Sequence, residues 1–388
     1  MDPLLNPYRP GAGTPPPALL GRDELIDEFG TTVRRALSGR PGKSLMPIGL
    51  RGVGKTVLLN RFSEIAEQEG IEVGFIEAPE GEDFKSLLAN RLRKILLALD
   101  GGGASAKILK ALRVLKSFSV QTADGMRYSI DVDPLLGQAD SGNLADDTTD
   151  LLVATGEAAA SRGKGVLLCI DEVQYLDDEE FGALITATHR TTQLGLPVVL
   201  VGAGLPQLPG LAGEAKSYSE RLFEFPFIGS LSASDASDAL RLPAEEEGVQ
   251  YEAKALRLIV EEARGYPYFI QEWGYHVWNV ADTSPIAVEV VREAKELVLA
   301  RLDENFFLVR FDRLTPKEKE YLRAMAELGP GPHRSGDIAA QLEVKVESVA
   351  PRRSELIAKG MIYSPAHGDT AFTVPLFDEF LKRAIPTV

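Results

Sequence analysis

The apolar positions change period several times along the chain, and each change marks a boundary. Leu25, Ile26, Phe29, Val33 and Leu37 recur at helical intervals until Gly39-Arg40-Pro41-Gly42 breaks the run. Short apolar runs then alternate with helical stretches. Residues 44–48, 71–77, 166–170, 197–201 and 224–228 read as strands, and 55–69, 84–99 and 181–193 as helices. Such alternation predicts an α/β domain, a parallel sheet covered by helices on both faces. Pro47 is irregular in a strand expected at the centre, because proline donates nothing to the ladder.

The pattern is interrupted over residues 101–149. A Gly-Gly-Gly-Ala run precedes a short amphipathic helix at 107–116, and Val120, Thr122, Met126, Tyr128, Ile130 and Val132 alternate about Asp124-Gly125 as in a hairpin. This stretch reads as an insertion. Residues 232–300 are helical throughout. Farther on, Thr315-Pro316 with Glu318 opens a helix to residue 328, two more follow at 335–342 and 348–359, and strands at 361–364 and 370–374 flank a His-Gly-Asp turn. Three helices and a hairpin make a winged helix-turn-helix layout. The Pro- and Gly-rich start forms neither helix nor strand, and is either a wrapping arm or a loose tail. The expected division is an arm at 1–18, an α/β core at 19–230, a helical segment at 231–313 and a winged helix at 314–388.

Composition narrows the field. With 388 residues, 44% of them hydrophobic and 26% charged, the chain is expected to fold as two to three packed domains. Acids outnumber bases by 57 to 42, so any nucleic-acid surface must be local. Thirteen acids face six bases in residues 232–300, whereas the last 75 residues carry ten of each. No apolar stretch approaches a membrane span, and a cytoplasmic protein with no membrane partner is expected. Cys169 is the sole cysteine and the four histidines are scattered, so a metal would enter only with a ligand.

The chemistry concentrates in Gly49-Leu50-Arg51-Gly52-Val53-Gly54-Lys55-Thr56, between a predicted strand and a predicted helix. Every fixed position of the phosphate-binding loop is present. Glycines let the backbone curl its N–H groups around a phosphate, and the helix start adds unpaired donors through Val57. Lys55 would reach the terminal phosphates and the Thr56 hydroxyl would hold Mg2+. Its partner is the apolar run 166–170 ending in Asp171-Glu172, at the strand end where open α/β sheets bind ligands. Asp171 would hold the metal, and Glu172 would deprotonate the attacking water.

At these two motifs the sequence resembles the additional-strand, catalytic-glutamate (ASCE) branch of P-loop NTPases, and in particular the AAA+ and STAND-like ATPases with a helical lid. The likeness extends over most of the chain. Leu20-Gly21-Arg22-Asp23-Glu24-Leu25 resembles the element that seats adenine in archaeal and initiator relatives, which implies Arg22 in the nucleotide site. Gly265-Tyr266-Pro267 resembles their lid element, implying Pro267 there as well, and Ser219-Glu220-Arg221 resembles the motif whose arginine reaches a neighbouring subunit's nucleotide. The winged helix matches the order of parts in origin-recognition ATPases. Two departures bear on the rate of hydrolysis. Gly202-Ala203-Gly204 stands where these enzymes carry a polar sensor, and Tyr-Pro replaces a lid arginine. Tyr266, Tyr268, Trp273 and Trp278 fit either an adenine-facing cage or a helical core.

The resemblance implies ATP and ADP as ligands with Mg2+, catalysis by Glu172, Lys55 and Arg221, and nucleotide-dependent self-assembly. Arg334, Arg352 and Arg353 lie near the predicted second and third helices of the winged helix, where double-stranded DNA would be read. Three readings stay open: a DNA-associated ATPase, a STAND-like switch docking a protein with little turnover and no DNA, and a transcription regulator in which nucleotide is only structural.

Overall fold

The apolar run at 166–170 becomes the middle of a parallel sheet because it is covered on both faces. In the computed structural model, described for residues 1–11, 13–78, 83–100, 105–120, 132–366 and 368–385, the core strands are β1 (Ser44–Leu45), β2 (Ile71–Glu77), β3 (Gly165–Asp171), β4 (Val198–Gly202) and β5 (Phe223–Glu224). β2, β3 and β4 run parallel in that order, and β1 pairs in parallel with β5. Ile48 bridges both Gly204 and Phe227, joining the two pieces in the order β5-β1-β4-β3-β2. One strand thus separates the phosphate-loop strand from β3, the arrangement that defines the additional-strand P-loop fold. All seven residues of β3 are buried. Leu167 and Cys169 face one apolar cluster, and Val166, Leu168 and Ile170 the other.

Pro47 sits where its missing donor does least harm. The N–H groups of Met46 and Ile48 donate to Glu224 (2.7 Å) and Pro226 (2.9 Å) on the β5 side, so the N–H-less position faces β4. There the regular ladder is broken, leaving Gly204 N–H to donate to the Pro47 carbonyl at 3.2 Å.

Helices α1 (Asp23–Leu37) and α2 (Lys55–Gln68) pack on one face, where Phe29 stacks on Phe62 at 4.2 Å. α3 (Phe84–Asp100), α4 (Ala106–Val120), α5 (Leu144–Ser161) and α6 (Asp178–Gln193) build the other face, followed by α7 (Leu208–Ala215) and α8 (Ser219–Leu222). The stretch read as an insertion is therefore partly corrected. The hairpin expected about Asp124-Gly125 falls mostly outside the described residues, but Val120, expected in a strand, closes α4, and α5 starts at Leu144. α5 escapes a periodicity search because small Ala and Thr residues supply much of its buried face. Its start is nonetheless written in the chain, since the Asn143 side chain accepts from Ala145 (3.0 Å) and Asp146 (3.1 Å).

The helical segment comprises α9 (Ala233–Glu246), α10 (Ala253–Glu262), α11 (Pro267–Val280) and α12 (Val288–Leu302). α12 continues through a π-helical turn, Asp303–Leu308, into α13 (Val309–Phe311). Thr315 and Glu318 form the expected capping box, and α14 (Pro316–Glu327) begins there. α15 (Ser335–Gln341) and α16 (Val346–Ala358) follow, with β6 (His333–Arg334), β7 (Ile362–Tyr363) and β8 (Asp369–Phe372) as an antiparallel sheet in the order β6-β8-β7. This is the winged-helix layout, with His367 of the predicted turn outside the described residues. α17 (Phe377–Ala384), not evident from the sequence, turns Phe377 and Phe380 inward against Phe307.

The start of the chain is a wrapping arm. The Asn6 side-chain amide donates to Tyr275 O (2.9 Å), the Trp278 indole donates to Asp2 O (3.0 Å), and Tyr8 is buried with its hydroxyl donating to Leu240 O at 2.6 Å. Tyr8→Ala deletes this buried ring and its hydrogen bonds, and is expected to cost about 3–5 kcal/mol. Thermal melts should fall accordingly; an unchanged melting temperature would mean that the arm does not brace the helical segment.

Candidate functional site

The turn from β1 into α2 is shaped by glycines. Gly52 and Gly54 take φ values of 85° and 94°, which L side chains rarely adopt, and Gly54 caps α2 without a side chain. Because α2 starts at Lys55, the first N–H groups of the helix, from Lys55 through Val57, lack partners within it and point toward the space before it. Lys55 is buried, and its ammonium donates to the carbonyls of Gly49 (3.1 Å) and Leu50 (3.0 Å). Burial pushes its pKa down, opposed by the charges of Glu172 and Asp171.

Asp171, the last residue of β3, meets this turn directly. Its Oδ2 accepts from the Thr56 hydroxyl at 2.5 Å, and its Oδ1 from the Glu172 N–H at 2.9 Å. Burial pushes the Asp171 carboxyl above the ordinary aspartate range against the pull of the Thr56 hydrogen bond. Glu172 adopts a left-handed conformation, φ 53°, which turns the chain sharply off the strand end. The two motifs singled out in the sequence therefore meet, and line one cavity of about 530 Å³.

A residue that sequence reasoning passed over lies beside them. The Gln174 side-chain amide donates to the Glu172 carboxylate, and its carbonyl accepts from Leu205 N–H at 3.0 Å. The Leu205 donor fixes which way the amide points. A Cβ at Gly204 would lie 2.8 Å from the Gln174 oxygen, so the Gly-Ala-Gly after β4 makes room for this glutamine. The missing polar residue on β4 is thus matched by a polar one reaching across from the turn after β3.

Other expected residues divide clearly. Arg22 and Pro267 line the cavity; the Arg22 guanidinium donates to Gly229 O (2.6 Å) and reaches Val53 O (3.5 Å), clamping the loop to the end of β5. Tyr268 lines the cavity too, stacked on Phe306 at 4.7 Å, whereas Trp273 and Trp278 are buried in the helical core. Arg221 is exposed at the end of α8 and does not line the cavity. Cys169 is buried, its thiol pushed up to about 12 by desolvation, which suits a core residue and no nucleophile. In the winged helix, Arg334 is exposed, 3.8 Å from Asp369, and Arg352 is half-buried. Arg353 does not project outward: its guanidinium donates to Thr370 Oγ1 (2.9 Å), Ser364 Oγ (2.8 Å) and Asp369 O (3.0 Å), tying α16 to the wing.

Segments distant in sequence close over the loop. Tyr268 N–H donates to Gly52 O at 3.2 Å, the Tyr266 hydroxyl donates to Arg51 O, and Asn305, Phe306 and Arg310 enter the cavity from the π-helical turn and α13. The winged helix touches the loop itself. Arg51 N–H donates to Thr373 O at 3.2 Å, and the Arg51 guanidinium, which donates to the Tyr175 hydroxyl at 2.6 Å, comes within 2.5 Å of where a Cβ on Gly360 would lie.

The comparisons with known proteins agree with this fold. Residues 18–201 match the family described as the AAA ATPase domain. The core therefore has the P-loop ATPase fold of the AAA domain that residues 18–201 match, and a winged helix follows it. Residues 304–381 match a domain of unknown function. Among individual proteins, the chain is 21% identical over 375 residues to an uncharacterised HTH-type transcriptional regulator of Methanocaldococcus jannaschii, covering 91% of this chain and 85% of that one. It is 37% identical over 101 residues to the replication factor C large subunit of Methanopyrus kandleri, of which it spans 18%. A Walker-type ATPase of Pyrococcus abyssi has the same fold, with a TM-score of 0.62 and 15% identity over 97% of this chain and 99% of that one. No helix among the described residues is long and apolar enough to cross a membrane.

A carboxyl whose pKa is raised by folding weakens the folded state as pH climbs from the ordinary aspartate value through the raised one. Asp171→Asn removes that cost while keeping an acceptor for Thr56. The nucleotide-free melting temperature at neutral pH is expected to rise by about 2 °C, with the gain vanishing toward acid; a lower melting temperature at neutral pH would contradict the burial penalty.

Proposed function

We propose that the protein binds ATP with Mg2+, hydrolyses it, and uses the nucleotide state to control a DNA-associated winged helix. The observation that carries the control is the hydrogen bond from Arg51, inside the phosphate loop, to Thr373 of the winged helix. A loop that must rearrange its surroundings to admit a triphosphate cannot do so without affecting a domain seated on it. The division proposed is an arm at 1–18, a core at 19–230, a lid at 231–313 and a winged helix at 314–388.

The residues fit the chemistry. The loop amides from Gly52 to Val57 and the Lys55 ammonium hold the phosphate chain, with Gly52 and Gly54 giving the loop its turn and Gly49 leaving room for the Ile228 carbonyl. Thr56 and Asp171 offer two hard oxygen donors side by side, the small protein share that Mg2+ accepts while keeping its waters. When bound there, the ion neutralises charge on the terminal phosphates. Glu172 takes the proton from the attacking water; the water oxygen bonds to the terminal phosphorus, and the bond to the bridging oxygen breaks, leaving ADP and phosphate. Gln174 holds the Glu172 carboxylate against the end of β4. Arg221, exposed and away from its own cavity, serves the nucleotide of a neighbouring copy in an assembled form. Arg334 and Arg352 meet the DNA backbone, whereas Arg353 shapes the wing.

Turnover and binding separate the roles. Glu172→Gln is expected to lower hydrolysis by at least about 100-fold with nucleotide affinity retained; a rate equal to the parent's would remove Glu172 from the mechanism.

The coupling is tested by hydrogen exchange and DNA retention with and without Mg-ATP. Exchange at residues 360–363 and 370–373 should rise on binding, and DNA affinity should change with nucleotide and fall steeply with salt. If nucleotide alters exchange but no DNA is retained at low salt, the winged helix docks a protein instead; if exchange there is unchanged, the loop does not control the domain.

A further inference from the structure

Tyr266-Pro267 stands where the resemblance would place a lid arginine, yet an arginine reaches the cavity from farther along the chain. α12 does not stop at Leu302. It widens into the π-helical turn Asp303–Leu308 and runs on to Arg310, five residues before the capping box that opens the winged helix. A π-turn adds a residue to the helical repeat and rotates the side chains beyond it. Here Phe306 and Arg310 both come to line the cavity that holds Lys55.

The Arg310 guanidinium lies over the Phe306 ring, 4.2 Å from its centroid, and donates to the Phe306 carbonyl. Phe306 in turn stacks on Tyr268, and its ring lies 3.6 Å from where a Cβ on Gly52 would be, so Arg310 is held against the phosphate loop on a stack of rings. Among the described residues Arg310 forms no ion pair, and the side-chain charge that acts on it most strongly is another cation, Arg51. Burial, with Arg51 adding to it, pushes the Arg310 pKa down. Arg310, Arg51 and the buried Lys55 line one cavity, a gathering of positive charge that an anion entering it would offset. A planar guanidinium is shaped for phosphate oxygens.

We propose that Arg310 is a nucleotide-binding residue that, together with Arg51, holds the terminal phosphate of the triphosphate, so that the joint between lid and winged helix itself distinguishes ATP from ADP. This rests on the nucleotide reading above and adds to it the residue that reads the third phosphate. It also gives that reading a route. Arg51 already contacts Thr373, and Arg310 stands on the helix leading into α14, so one phosphate group draws on two of the winged helix's attachments.

The test is calorimetric titration of the full chain with Mg-ATP and with Mg-ADP, in a Glu172→Gln background that blocks turnover, alongside thermal melts without nucleotide. Arg310→Gln is expected to weaken ATP by about tenfold or more while ADP stays within about twofold. Its nucleotide-free melting temperature should match or exceed that of its background, since a repelled cation is removed. Arg310→Lys, which keeps the charge but not the fork, should fall between. Equal weakening of ATP and ADP, or an unchanged ratio with a lower melting temperature, would assign Arg310 a structural role alone and overturn the proposal. Lys55→Ala separates the two levels. Loss of both nucleotides in Lys55→Ala with an unchanged ATP-to-ADP ratio in Arg310→Gln sinks only this inference, whereas undiminished binding in Lys55→Ala sinks the nucleotide reading and this one with it.

Discussion

Thr56 and Asp171 are 115 positions apart in the chain and 2.5 Å apart in space, and their hydrogen bond is the point on which the site depends. It places the first turn of α2 against the carboxyl end of β3, with the loop amides, the Lys55 ammonium and two acids facing one cavity. The sheet order makes this possible. β4 lies between the loop strand and β3, which spaces the two motifs so that neither crowds the other. Pro47 fits that order because its missing donor falls on the side where the ladder is already interrupted.

The site keeps charges apart from the partners that would satisfy them. Lys55 is buried with only backbone carbonyls to receive its protons, Asp171 is buried with its carboxyl pushed above the ordinary aspartate range, and Arg310 lines the same cavity as Arg51. Each arrangement costs stability in a protein folded for its own sake. On the proposed reading, a magnesium-bound triphosphate would offset all of them at once, supplying negative oxygens to the cations and a divalent ion to the acid. The Gln174 amide holds the Glu172 carboxylate in place, and the glycine after β4 leaves room for that amide.

Three other segments reach the loop: Tyr266 and Tyr268 from the lid, Phe306 and Arg310 from the helix beyond it, and Thr373 from the winged helix. The arm binds the lid through Tyr8 and then runs along the mouth of the cavity, where Gly11 and Gly13 line it. The arm, the core and the lid therefore all line one cavity.

The sequence by itself determined the pieces whose physics is local. The phosphate loop was legible because few residue types can curl a backbone around an anion, and β3 because a strand covered on both faces has to be apolar along its whole length. The capping box at Thr315 and Glu318 was legible for the same reason. α5 was not, because Ala and Thr can fill a narrow gap against α6 without leaving a strong period, and α17 was not, because two phenylalanines and a leucine acquire a partner only when Phe307 is brought to them. Only the tertiary structure decided that Arg353 turns inward, that Trp273 and Trp278 are core, and that Gln174, Arg51 and Arg310 converge on the site. Those outcomes depend on contacts between distant segments, and in the case of Arg310 on a π-turn that shifts the register a helical wheel would assume.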